Sequence, residues 1–390
     1  MVFTITVVYA RSIMRLLYIS NARIPTEKAH GVQIMSMCEA FASLGNDVTL
    51  VVPRKRDFLD ADPFAYYGVK ENFSIRHIVI PDMGSKSETL PKFLLRFDLL
   101  SFIIGLLFSN VAKNGDALYF RDYPLLFAFS PRRYRLVCEV HHIYGWRRLF
   151  VHALRRASLI VVITQGLKDD LVALGLSEKK IIVAPDAVNL SIFDDVESKE
   201  SARKRLGLSQ EKKIALYIGR IDEWKGTSVL FKTADKLRSN VQIAVIGNGP
   251  EDLAQLQSRY PRVAFLGFRP YREIANNQAA ADILILPNSG REEISARFTS
   301  PLKLFTYMAS QVPIVASDLP SIREILSDEE AYFATPDDPE DLARAIEEAL
   351  GNTLRAKEKS ARAYKKVLEY TWSARAKNIA EHMTRQSQSS

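Results

Sequence analysis

The stretch YIGRIDEWKG, residues 217–226, sets Arg220 directly after an apolar run and Lys225 five residues further on, between Gly219 and Gly226. A guanidinium grips two oxygens in a plane and an ammonium acts as a point charge, so the pair suits a diphosphate better than a lone carboxylate. A helix opening at Gly226 would turn its N-terminal N–H groups to the same place. Arg and Lys are common in strand-to-helix loops. The weight of the pattern lies in two cations, a strand-ending glycine and a helix start meeting at one point.

Three other stretches carry compatible chemistry. SPLKLFTYMASQVPIVASD, residues 300–318, reads as a helix, a turn and a buried strand. Ser300 is suited to cap that helix and Pro301 to open it. Leu302, Phe305 and Met308 share an apolar face, while Lys303 and Thr306 form a polar side at the helix mouth. IGNGP supplies Gly247 and Gly249 for a tight turn but is not the GxGxxG fingerprint, which disfavours a nicotinamide enzyme. In GFRPYREI, Gly267 would let a flat ring approach the backbone beside Phe268. The long loop PNSGREEISARFTSPLK leads into the 300–310 helix, and loops of that length in compact domains tend to be functional. These stretches order themselves as a nucleotide site: diphosphate at Arg220 and Lys225, base near Gly267 and Phe268, ribose and sugar at the start of the 300–310 helix.

The elements that hold these residues alternate between strand and helix. Apolar runs such as RLLYIS, DVTLVVP and SLIVVIT in the first half, and KIALYIG, VQIAVIG, ADILILP and VPIVAS in the second, are continuous in Val, Ile and Leu. Such strands are covered on both faces, as in doubly wound parallel sheets. At 390 residues the chain exceeds one core, and the charged stretch 190–208 separates two series of strands. Two α/β domains are therefore expected, over residues 1–195 and 205–370, with a last helix over 371–390 set to pack back on the first domain.

Composition narrows the function. Cys38 and Cys138 fit neither a metal site nor a disulfide framework, which points to a reducing compartment, and six histidines include no HExxH. No metal site is expected. The net charge of +8 is too small to argue for nucleic acid, but arginines 121, 132, 133, 135, 147, 148, 155 and 156 form a basic run. That run suits either a solvated surface or an anionic acceptor or lipid surface. LLSFIIGLLFS, residues 99–109, is too short to span a bilayer and reads as a core or interfacial helix. The apolar start MVFTITVVYARSIM has no basic region before it and no cleavage signature after it, so a signal peptide is not expected, and Met14 is an alternative start.

In this order and spacing, YIGRIDEWKG, IGNGP, VAFLGF, AADILILPNS, SPLKLFTYMASQVPIVASD and YTWSARAKNI resemble the retaining glycosyltransferases of family 4, which have the two-domain GT-B fold. In the first half RIPTEKAHGVQIMSMCEAFASLGNDVTLVV, EVHH and APDAVNLSIF extend the resemblance over nearly the whole chain from Met14. It implies that Arg220 and Lys225 neutralise the diphosphate of a nucleoside-diphosphate sugar, with no metal or other cofactor. His141 would face the donor sugar, and Gly31, in the KAHGVQ loop, would bring its backbone near donor and acceptor. The N–H groups at Ser300 and Leu302, with Lys303, would complete the donor wall, and Lys28 and His30 receive no assignment.

The sequence departs from the family at two positions eight apart, where glutamates commonly hold the donor sugar and the ribose. Phe298 and Thr306 stand there. A threonine hydroxyl could keep one ribose contact in place of a charged pair. Glu292 and Glu293 lie just upstream.

The resemblance thus implies a retaining transferase that moves a sugar to a glycan or lipid-linked acceptor by same-face substitution. The cysteine usage suits a cytoplasmic enzyme, and the basic run with the apolar 99–109 segment suits either peripheral contact with an anionic membrane or a soluble acceptor beside a solvated basic surface. A donor-binding but catalytically silent subunit and a sugar-nucleotide epimerase are the alternatives.

Overall fold

The computed structural model describes residues 14–54, 59–80, 92–114 and 116–387; the apolar segment 1–13 lies outside them. Seven strands form the first sheet: β1 (Arg15–Ile19), β2 (Asp47–Arg54), β3 (Ser74–Val79), β4 (Ala117–Phe120), β5 (Arg135–Val140), β6 (Leu159–Val162) and β7 (Ile181–Val183). Six form the second: β8 (Lys213–Ile218), β9 (Val241–Ile246), β10 (Val263–Phe265), β11 (Ile283–Leu286), β12 (Ile314–Ser317) and β13 (Tyr332–Ala334). The first-domain helices are α1 (Ala29–Ser43), α2 (Pro63–Tyr67), α3 (Lys92–Phe108), α4 (Arg147–Leu154) and α5 (Gln165–Ala173). The remainder are α6 (Lys199–Leu206), α7 (Thr227–Thr233), α8 (Leu253–Arg259), α9 (Ile274–Ala279), α10 (Leu302–Ala309), α11 (Pro320–Arg323), α12 (Pro339–Gly351), α13 (Thr353–Val367) and α14 (Trp372–Ser387).

Every named strand pair is parallel, in the orders β3-β2-β1-β4-β5-β6-β7 and β10-β9-β8-β11-β12-β13. Both sheets are covered on both faces, which the continuous apolar runs require. Leu17 and Ile19 of β1 enter one core layer while Leu16 and Tyr18 enter the other. In β8, Ile214 and Leu216 face one layer and Ala215 and Tyr217 the opposite one. Strand order reverses between β1 and β4 and again between β8 and β11, and a crevice opens at such reversals beyond the carboxyl ends of the strands.

The charged stretch 190–208 is more than a linker, because it contains α6. Ala202 and Leu206 are buried in the second domain, and Arg203 is buried against the Ala280 carbonyl and the Asp282 carboxylate. At the other end, α14 crosses back to the first domain. Trp372, Ala376, Ile379 and Met383 form a helical stripe buried in the same layer as Met35, Cys38 and Phe41 of α1. The two chain crossings run side by side, with the Val188 N–H donating to the Tyr370 carbonyl at 3.0 Å.

Helix α3 is both core and surface. Phe102 and Leu106 are buried, whereas Leu100, Ile104, Leu107 and Phe108 are exposed on its other side, with exposed Val79 of β3 nearby. No helix among the described residues is long and apolar enough to cross a membrane. The basic run does not form one face. Arg121 lines the central cleft, Arg156 is spent on the Leu126 and Phe129 carbonyls, and Arg132, Arg133, Arg147 and Arg148 are exposed.

Candidate active site

A cleft of about 730 Å³ lies between the carboxyl ends of the two sheets. Its second-domain wall begins where β8 ends. Gly219 (φ +154°) and Gly247 (φ +147°) sit back to back there, and a Cβ on Gly247 would come within 2.0 Å of the Gly219 carbonyl oxygen. Only glycine allows the two strand ends to approach in this way.

Three cations gather beyond this turn. Arg220 projects into the cleft, half exposed and only loosely paired with Asp222 at 3.6 Å. Lys225 follows on a single 3₁₀ turn and rests over the Trp224 ring. Lys303, one residue into α10, lies over the Tyr217 ring at 4.0 Å, and its Nζ is buried with no hydrogen-bond partner. Burial, then the neighbouring Lys225, pushes the Lys303 ammonium well below its ordinary range. Burial lowers Lys225 in the same direction, assisted by Arg220 and opposed by Asp222. Cations held under such strain are stabilised by an arriving anion, and a diphosphate supplies one of the right charge.

The first-domain wall rests on a buried carboxylate. Glu139 in β5 has no exposed side-chain surface. Arg375 Nη2 of α14 donates to its Oε1 at 2.9 Å, and His141 Nε2 stands 2.6 Å from the same oxygen. Gln33 Nε2 also donates to Oε1, the Tyr119 hydroxyl donates to Oε2, and Arg121 donates to Gln33 Oε1. Burial works against the charge of Glu139, but Arg375, His141 and Arg121 outweigh it and hold the carboxyl well below the usual range. Burial and Arg121 push His141 down to about 4 against the opposing pull of Glu139. The imidazole is thus neutral at pH 7, with Nε2–H given to Glu139 and Nδ1 left as an acceptor. His30, which also lines the cleft, is lowered to about 3 by burial and then by Arg121, Lys28, His141 and Arg23.

Of the residues singled out from the sequence, His141, Gly219, Arg220, Lys225, Gly247, Phe268, Ser300, Pro301, Leu302 and Lys303 line this one cleft. Gly31, Gly267 and Thr306 are not among its lining residues. Gly31 lies within helix α1 rather than a loop, and it faces Tyr67, whose hydroxyl oxygen is 2.1 Å from where a Cβ would stand. Gly267 takes φ +71° to turn the chain, and its carbonyl accepts from the Gly247 N–H. Thr306 is fully buried; its hydroxyl donates to the Lys303 carbonyl and accepts from Gln278 Nε2 at 2.9 Å. The one hydroxyl expected at the ribose is therefore engaged inside the domain.

Ser300 does not cap α10. Pro301 takes the cap position, and Ser300 Oγ accepts the Asp186 N–H from the other side of the cleft at 2.9 Å. Glu292 and Glu293 are exposed outside the cleft, and Glu293 pairs with Arg297. The loop leading into α10 closes with a π-helical turn, Ile294–Phe298, which turns the Phe298 side chain into the core while part of it lines the cleft.

Sequence reasoning missed Glu139, Arg375 and Asp186. The first two had a signal: an acid within the apolar run RLVCEV, two residues before His141 and so on the same face of the strand, and an arginine beside the apolar stripe of the last helix.

Comparison with known proteins agrees with this architecture. Residues 30–192 match Glycosyltransferase Family 4 and residues 212–352 match Glycosyl transferases group 1. TuaC of Bacillus subtilis, named as a teichuronic acid biosynthesis glycosyltransferase, is 24% identical over 355 residues, 85% of this chain and 88% of its own. A phosphatidyl-myo-inositol mannosyltransferase of Mycobacterium tuberculosis is 34% identical over 168 residues, 41% of this chain and 42% of its own. Anabaena HepE, solved with UDP-glucose, superposes with a TM-score of 0.73 at 16% identity, covering 95% of this chain and 100% of its own. The chain belongs to the family 4, group 1 glycosyltransferases and has their GT-B fold.

Proposed function

We propose that this glycosyltransferase takes a sugar from a nucleoside-diphosphate donor and transfers it, with retention, to a glycan or lipid-linked acceptor, without a metal. One observation carries the reading: Arg220, Lys225 and Lys303 meet at the end of β8, and the Lys303 ammonium is buried with no counter-charge of its own. In the reaction the bond from the anomeric carbon to the β-phosphate oxygen breaks as the acceptor oxygen bonds to the same face of that carbon. The acceptor proton passes to the departing phosphate oxygen. Charge grows on the leaving diphosphate, where these three cations stand, and stabilisation that rises toward the transition state is what accelerates a reaction. His141, neutral and fixed by Glu139, offers Nδ1 to a sugar hydroxyl from the opposite wall.

Two relatives are named for teichuronic acid biosynthesis and for phosphatidyl-myo-inositol, both anionic compounds, and Lys28 and Arg121 line the first-domain side of the cleft. An anionic acceptor fits that wall. The apolar face of α3 and the exposed arginines of the same domain support an enzyme working at a membrane surface, and the two free cysteines suit the cytoplasm.

The test is incubation with radiolabelled UDP- and GDP-sugars and an extract of anionic glycans and glycolipids. A labelled glycoside with unchanged anomeric configuration is expected. An isomerised donor would favour an epimerase, and binding without turnover a silent subunit.

A further inference from the structure

The two positions at which the family commonly carries acids give this cleft none, and the neighbouring Glu292 and Glu293 point elsewhere. Two carboxyl side chains do line it, Glu27 and Asp186. Glu27 is exposed, while Asp186 is 6% exposed.

Asp186 follows β7, where the chain is about to leave the first domain. Its backbone N–H is held by Ser300 Oγ, at the mouth of the donor-side helix α10. Its Oδ1 is buried and finds no hydrogen-bond partner within the protein. A buried polar atom left unpaired costs free energy, and a carboxyl in the wall of a ligand cleft gains when a ligand supplies the missing group. The charged and titratable groups around it are Arg375 and Arg121 as cations, Glu139 as an anion and the Tyr271 phenol. Asp186 is thus in electrostatic contact with the network that fixes His141 and in hydrogen-bond contact with Ser300, just ahead of α10.

We infer that Asp186 is a donor-sugar recognition residue, its carboxyl hydrogen-bonding a hydroxyl of the transferred sugar from the first-domain side of the cleft. This rests on the donor-site reading above. A carboxyl repels phosphate, so its partner is the neutral, hydroxyl-bearing end of the donor rather than the diphosphate at Arg220, Lys225 and Lys303. Burial, only partly offset by Arg375, raises the carboxyl to about 7, so near neutrality it spends much of its time protonated and can donate as well as accept. The chain then supplies an acid to the sugar from a different element than the family's usual pair.

The test compares each nucleotide with its own sugar conjugate by calorimetric titration: UDP against UDP-glucose and UDP-galactose, GDP against GDP-mannose. The native chain is compared with Asp186→Ala and with the isosteric Asp186→Asn, which guards against a variant that fails to fold. For the conjugate that the native chain binds, Asp186→Ala should weaken affinity at least tenfold while UDP or GDP alone changes less than twofold. Asp186→Asn, which keeps a donor and an acceptor, should recover most of that loss. Equal weakening of the free nucleotide would place the carboxyl at the nucleoside, and no weakening of either would leave it without a ligand role; both overturn the inference while the donor site stands. A native chain that binds neither nucleotide nor conjugate would overturn the donor-site reading itself.

Discussion

Arg375, on a helix that follows the whole second domain, places its guanidinium 2.9 Å from the carboxylate of Glu139 on β5, an interior strand of the first sheet. The two are 236 residues apart, and both are buried. His141 hangs from the same carboxylate oxygen, so the orientation of a cleft residue depends on the return of the C-terminal helix. Removing one partner leaves the other as an uncompensated buried charge. Arg375→Ala should therefore destabilise the chain by about 3–5 kcal/mol. Glu139→Gln leaves the buried Arg375 without its counter-charge, so it should destabilise to a similar extent and also lower turnover, because the carboxylate that fixes the His141 tautomer is gone. Urea unfolding alongside initial rates separates the two, and a harmless Arg375→Ala would mean the pair contributes little.

Thr306 gives a prediction of the opposite kind. Its hydroxyl is the acceptor for Gln278 Nε2 in a fully buried spot. Thr306→Val should cost about 1–3 kcal/mol, the price of an unsatisfied buried amide, and leave nucleotide affinity unchanged. A tenfold loss of UDP or GDP affinity with unchanged stability would return the hydroxyl to the ribose.

The titration of Asp186 sets a pH dependence. Its folded-state carboxyl is raised to about 7 from an ordinary 3.8, so between those values the folded chain holds a proton that the unfolded chain has released. Stability from this group is complete below about pH 4, declines as pH rises, and is lost above about pH 7. The full change is on the order of 4 kcal/mol. Asp186→Asn lacks the effect, so its advantage over the native chain in melting temperature should grow from pH 4 to pH 7 and then level off. A gap that does not vary with pH would contradict the assignment.

The exposed side of α3 predicts membrane contact. Vesicles with anionic lipid should carry the protein down on centrifugation at low salt. Binding should weaken at about 0.5 M salt, where the Debye length falls to a few ångströms. Ile104→Glu with Phe108→Glu should abolish it without unfolding the chain, since both side chains are exposed. Equal binding of native and doubly substituted protein would show that α3 is not the contact.

The fold was legible in the sequence because parallel strands buried on both faces leave a distinct mark. Every strand but the three-residue β13 falls on an apolar run evident beforehand. Part of the second-domain wall was legible for a related reason: Gly219 and Arg220 follow the end of β8 directly and Lys225 lies in the same turn, whereas Lys303 reaches them from the start of α10, after a long loop. What joins distant segments was not. Nothing in the spacing of APDAV reveals that the Asp186 N–H meets Ser300, or that Arg375 reaches Glu139. Ser300 shows the limit most clearly, because its hydroxyl suits a local helix cap and is used instead across the cleft. Thr306 was misjudged likewise: helix periodicity gives the face, and only packing shows that Gln278 has taken the hydroxyl.

Binding of UDP and GDP to the native chain, Arg220→Ala and Lys303→Met, followed by titration calorimetry, tests the central claim most directly. The account predicts that one nucleotide binds the native chain and that each substitution weakens it at least tenfold without lowering the melting temperature of the free protein. Failure of both nucleotides to bind, or binding indifferent to the loss of Arg220 and Lys303, would contradict a diphosphate site at the end of β8.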